Sequence, residues 1–158
     1  MAGHDISAGG LITTLLEMCF SNMEGGMEIS LNKIKEDDII KILFAENPGI
    51  VIQVKDKHKE EVKKILEDAG IGYVKLGKPT EERHILVEKG DATYQFGIDY
   101  LRDVWYSTSY LLDRKQSMNG CAKKRFENYK KQPLEFVFDK SFTGKLSQFG
   151  LNPDRRTP

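Results

Sequence analysis

Apolar residues crowd more than one face of the first helical stretch. Leu11, Ile12, Leu15, Leu16, Met18, Cys19 and Phe20 fall so densely that a largely buried helix is predicted. Ser7 stands ahead of it as a candidate N-cap, and residues 22–26 end it. Met27–Leu31 then alternates apolar and polar, as a half-buried strand does. The charged run Lys35–Asp38 leads into a short helix carrying Ile39, Ile40, Leu43 and Phe44, stopped by Pro48-Gly49. Ile50–Val54 is β-branched at four of five positions and predicts a strand. An amphipathic helix follows over His58–Ala69, with Val62, Ile65, Leu66 and Ala69 on one face and Gly70 at its end. Strands are expected at Gly72–Leu76 and Arg83–Glu88, the second joined by the turn Lys89-Gly90-Asp91 to a partner strand at Ala92–Phe96. From Asp99 a long helix carries Leu101, Val104, Trp105, Thr108, Leu111 and Leu112 at helical spacing, and Arg114-Lys115 complement its C-terminal dipole.

The predicted order is α-β-α-β-α-β-β-β-α, an α/β (α+β) sandwich with helices packed on one face of a mixed sheet. No strand is expected before the first helix, so the chain reads as a domain truncated at its N-terminal side. Residues 1–118 form that domain. Residues 119–158, mostly charged and then rich in Gly, Pro and Arg, read as a linker or tail with short local structure. A domain entered part-way exposes apolar surface, so self-association is expected.

Composition narrows the function classes. Lys and Arg number 24, Asp and Glu 24, so the net charge is zero, which argues against general binding to nucleic acid or membrane surfaces. No apolar run approaches the ~20 residues of a membrane span, and residues 1–5 do not resemble a signal peptide. Cys19 and Cys121 lack CxxC spacing, which suits a reduced, cytoplasmic setting.

Two stretches invite a phosphate. Gly72–Pro79 approaches the phosphate-loop pattern, but Pro79 replaces the magnesium-ligating hydroxyl and no helix is expected after it. His4-Asp5-Ile6-Ser7-Ala8-Gly9-Gly10 is more suggestive. Asp5 is a hard oxygen donor of the kind magnesium takes, Ser7 offers a hydroxyl, and Gly9 and Gly10 would present backbone amides at a helix start. A capped helix after a turn, with Asp5 and Ser7 as capping residues, accounts for the same residues. His4 is read as a positioning or packing residue, His58 and His84 as surface residues, and Trp105 as core. Lys123-Lys124-Arg125 is read as a solvated helix face or a contact with a neighbouring domain.

The stretch His4–Leu11 resembles the H-D-x-S-D-G-G-L signature of the C-terminal domain in the aminoimidazole-ribonucleotide (AIR) synthetase superfamily, with Ala8 where that pattern often has Asp. Leu101-Arg102-Asp103-Val104-Trp105, Thr108-Ser109, Leu112-Asp113-Arg114 and Gln116 look like a stretch of the large phosphoribosylformylglycinamidine synthase family, and Ala122–Lys130 with Gln132–Glu135 continue it. The resemblance implies an AIR-synthetase C-terminal-type fold and a piece of a ligase. That ligase uses ATP and glutamine to convert formylglycinamide ribonucleotide into formylglycinamidine ribonucleotide. It further implies Mg2+ and ATP or ADP as cofactors, Asp5 as a metal ligand, and Ser7, Gly9 and Gly10 as nucleotide-binding residues. The remaining domains, including a glutaminase domain, would be the partners, and the piece alone would be inactive. Another superfamily member, or a non-catalytic module on the same fold, is the alternative. The Leu101–Gln116 stretch argues against the former.

Overall fold

In the computed structural model, residues 2–128, 137, 139 and 141–150 are described. A strand β1 (Ala2–Ile6) precedes helix α1 (Gly10–Phe20), followed by β2 (Gly26–Ser30), α2 (Ile39–Phe44) and β3 (Gly49–Gln53). A short 3-10 turn leads into α3 (Lys59–Asp68), then come β4 (Gly77–Thr80), β5 (His84–Lys89), β6 (Ala92–Gly97), α4 (Ile98–Gln116) and α5 (Cys121–Asn128). Among the described residues no helix is long and apolar enough to cross a membrane.

The expected mixed α/β architecture, a mixed sheet with helices packed on it, is present. Its main sheet runs β4-β2-β5-β6, with β2 parallel to β5 and the other neighbours antiparallel. Leu11, Ile12, Leu15, Leu16 and Cys19 of α1 bury themselves with Ile29, Ile85 and Val87 of the sheet, Leu43 of α2 and Ile98 of α4. Each such aliphatic side chain contributes roughly 1.5–3 kcal/mol by leaving water. The alternation predicted for β2 and the alternating burial observed in β5 thus decide which face meets the helices.

Several expectations are corrected. A strand does precede α1: β1 pairs antiparallel with β3, Asp5 opposite Ile50, in a separate two-stranded sheet. Its residues are mostly small or polar, and backbone pairing rather than apolar alternation makes it a strand. Ser7 does not cap α1. Gly9 and Gly10 both adopt positive φ, and the Gly10 amide closes a turn onto the Ser7 carbonyl at 3.0 Å, so the helix starts at Gly10 with Gly9 as its cap. Residues 71–76 form no strand. The ladder on β2 is instead made by β4, where Gly77 lies so close that a Cβ would stand 1.8 Å from the Glu28 carbonyl oxygen. Pro79 is tolerated there because β4 is an edge strand. The apolar face of α3 is only partly covered, with Val62 and Leu66 half-buried, Ile65 exposed and no residue fully buried. Trp105 is 56% exposed rather than core, although its ring leans on Phe20. His84, expected at the surface, opens β5 and is half-buried.

Beyond residue 118 the chain first turns back on itself. The Arg125 guanidinium donates to both Asp113 carboxylate oxygens, at 2.9 and 2.6 Å, and Phe126 stacks on Tyr106 and Tyr110 of α4. The family-like residues 129–136 lie outside the described residues. Hydrogen bonds from Arg125 and then Ser117 hold the Asp113 carboxyl below its ordinary value of 3.8. A depressed carboxyl stabilises the fold above its unfolded value, and that contribution fades as pH falls through the folded one. The Tyr106–Phe126 contact, followed by NMR, should therefore persist at neutral pH and weaken as pH drops below 3.8. Asp113→Asn should remove the pH dependence; an unchanged acid response in that variant would assign it elsewhere.

Candidate nucleotide and metal site

The segment from His4 to Gly10 leaves β1, turns through Ser7 and Ala8, and enters α1. Strand alternation turns His4 and Ile6 towards the body, where they are half-buried, and leaves Asp5 exposed on the other face beside Gly3. The Asp5 backbone is fixed from three sides: its carbonyl accepts from Thr14 Oγ1 at 3.1 Å and meets His4 Nδ1 at 2.9 Å, while the strand pairs with β3. The imidazole is fixed in turn by Glu17, whose Oε2 lies 3.2 Å from His4 Nε2. His4 is thus a positioning residue bridging β1 and α1, as its sequence context suggests.

The two glycines do different work. A Cβ on Gly10 would stand 2.7 Å from the Leu43 carbonyl oxygen and 2.7 Å from the Phe44 carbonyl carbon, so α1 begins against the end of α2. Gly9 is looser, its virtual Cβ meeting only the Thr13 side chain, whose hydroxyl donates back to the Gly9 carbonyl at 3.1 Å. Neither amide points free into solvent. The Gly10 amide bonds Ser7, and the Gly9 amide donates to Glu46 Oε1 at 2.9 Å. A carboxylate therefore stands where the residues alone suggested an anion. Glu46 and Glu17 were missed in the sequence because Glu46 comes from a loop 37 residues on, Glu17 from within α1, and neither carries a motif.

A fit to magnesium can be judged from the donors. The Asp5 carboxylate is 73% exposed, with His4 Nδ1 3.4 Å from its Oδ1. Among the described residues no group of three or more His, Cys, Asp or Glu converges to hold a metal. Asp5 thus fits one ligand of an ion that keeps waters and takes phosphate oxygens, the usual magnesium pattern. Ser7 lies exposed two residues on, within the same turn. Elsewhere Cys19 is buried and its thiol is pushed up by that burial, with Arg83 pulling the other way, so it suits a core residue rather than a nucleophile. Gly72–Pro79 runs through an irregular stretch into β4 and holds no helix start.

The family model described as AIR synthase related protein, C-terminal domain, matches residues 1–89, more than half of the chain. This chain belongs to that family. The matched stretch begins with β1 and the His4–Gly10 turn and ends with β5, so it contains most of the sheet and the turn itself. Human phosphoribosylformylglycinamidine synthase is 36% identical over 125 residues, covering 77% of this chain and 9% of the human protein. A probable chloroplastic or mitochondrial phosphoribosylformylglycinamidine synthase of Arabidopsis thaliana is 30% identical over 131 residues, 82% of this chain and 9% of its own length. The phosphoribosylformylglycinamidine synthase subunit PurL of Aquifex aeolicus is 36% identical over 104 residues, 65% of this chain and 14% of that subunit. The chain thus spans about a tenth of the length of these relatives. The first two similarities extend further than the 89-residue family match, as the Leu101–Gln116 resemblance requires.

Proposed function

We propose that this chain is one domain of a phosphoribosylformylglycinamidine synthase, the ligase that converts formylglycinamide ribonucleotide into formylglycinamidine ribonucleotide with ATP and glutamine. What carries the reading is 36% identity to the human synthase over 125 residues, beyond the 89 residues the superfamily domain matches. In that reaction ATP, when bound, supplies the phosphoryl group that activates the amide oxygen. On our reading Asp5 ligates Mg2+ through its exposed carboxylate, and Ser7, Gly9 and Gly10 form the nucleotide-binding turn, where the Ser7 hydroxyl meets a phosphate oxygen directly and the Gly9 amide does so only by giving up Glu46. His4, held by Glu17, keeps the Asp5 backbone in place, and the α1–α2 contact at Gly10 fixes where the turn ends. Residues 119–158 would lead from this domain towards the glutaminase domain, α5 being docked on α4 on the way. A cytoplasmic setting fits the two unpaired cysteines.

Two outcomes follow. The 158-residue chain alone should form no product from ATP, glutamine and the ribonucleotide, because one carboxylate and a turn do not make a complete cleft; measurable product would overturn this. In the complete synthase, Asp5→Asn should lower the nucleotide that copurifies with the protein, read from its absorbance after denaturation. In the short chain the same change should move stability by no more than about 0.5 kcal/mol, since Asp5 is a surface strand residue and not a cap. Wild-type nucleotide content in the complete variant would remove the metal role from Asp5.

A further inference from the structure

We propose that Glu46 is an internal competitor at the His4–Gly10 turn: its carboxylate takes the Gly9 amide that a nucleotide phosphate would take, so the phosphate must displace it. The inference rests on the nucleotide reading of the turn given above. Helix α1 starts without a cap of its own. Gly9 has no side chain, Ala8 before it carries only a methyl group, and no acidic residue lies in the first turn of the helix. The positive end of the helix dipole therefore lacks a counter-charge from its own segment. Glu46 supplies one from across the fold, its Oε1 accepting from the Gly9 amide at 2.9 Å. A carboxylate oxygen on a backbone amide at a helix start makes the same kind of contact as a phosphate oxygen. The amide thus already takes an oxygen anion, and the chain itself provides it.

The contact can be lost without disturbing the fold. The backbone that carries Glu46 is placed by packing: α2 ends against Gly10, where an added Cβ would stand 2.7 Å from the Leu43 carbonyl oxygen, and Pro48 follows two residues after Glu46. The side chain is not so held. Glu46 is exposed, residues 45–48 are neither helix nor strand, and among the described residues no cationic side chain pairs with its carboxylate. The Gly10 amide, by contrast, is bonded inside the turn to the Ser7 carbonyl at 3.0 Å. Turning Glu46 into water gives up one charge-assisted hydrogen bond and no buried packing, and an arriving phosphate remakes that bond. A carboxylate that stayed beside the phosphate would repel it. Glu46 therefore lowers the affinity of the turn for phosphate. A purely structural cap acts in the opposite direction, because its loss would loosen the turn and weaken binding. The sign of the effect separates the two roles.

The test is equilibrium dialysis of the complete synthase against Mg-ADP. We expect Glu46→Ala to bind Mg-ADP roughly 10-fold more tightly than the wild type, the factor that matches one charge-assisted hydrogen bond no longer broken on binding. Glu46→Gln keeps the shape and an acceptor oxygen but not the charge. It should tighten binding by a smaller factor, and it serves as the probe where the alanine variant does not fold. Wild-type or weaker binding by both variants overturns the proposal and leaves Glu46 as a structural cap of α1. Asp5→Asn, measured in parallel, tests the reading beneath it. Weaker binding by Asp5→Asn with no gain in the Glu46 variants removes the competitor and keeps the nucleotide site. A gain in the Glu46 variants with Asp5→Asn unchanged keeps the competitor and removes the metal role of Asp5. Wild-type affinity in all three variants removes both.

Discussion

Gly10→Ala should destabilise the protein by roughly 2–5 kcal/mol, with the urea midpoint falling and the slope unchanged. Two costs add. At φ 72 an alanine sits in the left-handed region, which costs about 1–2 kcal/mol. Its Cβ would also stand 2.7 Å from the Leu43 carbonyl oxygen and 2.8 Å from the Phe44 Cα, both backbone atoms that move only if α2 moves. Overpacking of that kind costs about 1–3 kcal/mol. Gly90→Ala separates the terms: its φ is 58 but nothing lies within 4 Å of the added carbon, so it should show the backbone cost alone. Equal losses in the two variants would mean that the α1–α2 contact yields easily. The comparison bears on function too. Gly10 is required by the fold whether or not a phosphate binds at the turn, so loss of nucleotide by a Gly10 variant would not by itself identify a ligand contact. Asp5, exposed and outside the core, is the cleaner probe.

Legibility in the sequence followed burial. The core of α1 was readable because its seven apolar positions leave only a narrow polar side, and Ile29 was readable from the alternation of Met27–Leu31, while Arg83–Glu88 was legible only as a strand. The strand β1 was not, since Gly3, His4 and Asp5 carry no apolar signal and the strand is defined by its ladder to β3. At residues 71–76 the β-propensity of Tyr73 and Val74 was real but local; the partner β2 was taken by the Gly77–Thr80 stretch, where a glycine and an edge proline permit the close approach. For α3, Trp105 and Leu111, helical spacing fixed which residues share a face but carries no information on whether anything covers it. The turn from His4 to Gly10 was legible as a motif, while its geometry was not. That Glu46 reaches the Gly9 amide and Glu17 the His4 ring depends on chain brought from 37 residues away in one case and across the β1–α1 turn in the other.

Arg83 joins three elements that the sequence gives no reason to connect, and Arg83→Met should cost about 2–4 kcal/mol, a fall of roughly 4–16 °C in the melting temperature. Its side chain is only 17% exposed. Nη1 donates to the carbonyls of Cys19 and Gly25, both at 3.1 Å, and Nε donates to Asp99 Oδ1 at 3.0 Å. The Cys19 carbonyl is one of those left over at the end of α1, Gly25 opens the approach to β2, and Asp99 lies in the first turn of α4. One guanidinium thus ties the end of α1 to the start of α4 and the approach to β2. Methionine keeps most of the aliphatic stem, so the loss measured is that of the donors rather than of a filled volume. The carbonyls, not the carboxylate, should dominate. Asp99 is 49% exposed, and an ion pair that water reaches on one side contributes about 0–1 kcal/mol. The Gly25 carbonyl, by contrast, loses a charge-assisted donor at a half-buried site. A double-mutant cycle decides between them. Asp99→Ala alone should cost little, and Arg83→Met should cost nearly as much in the Asp99→Ala background as in the wild type. Should the Arg83→Met loss instead vanish in that background, the Arg83–Asp99 pair is the stabilising element and the carbonyl contacts follow from it.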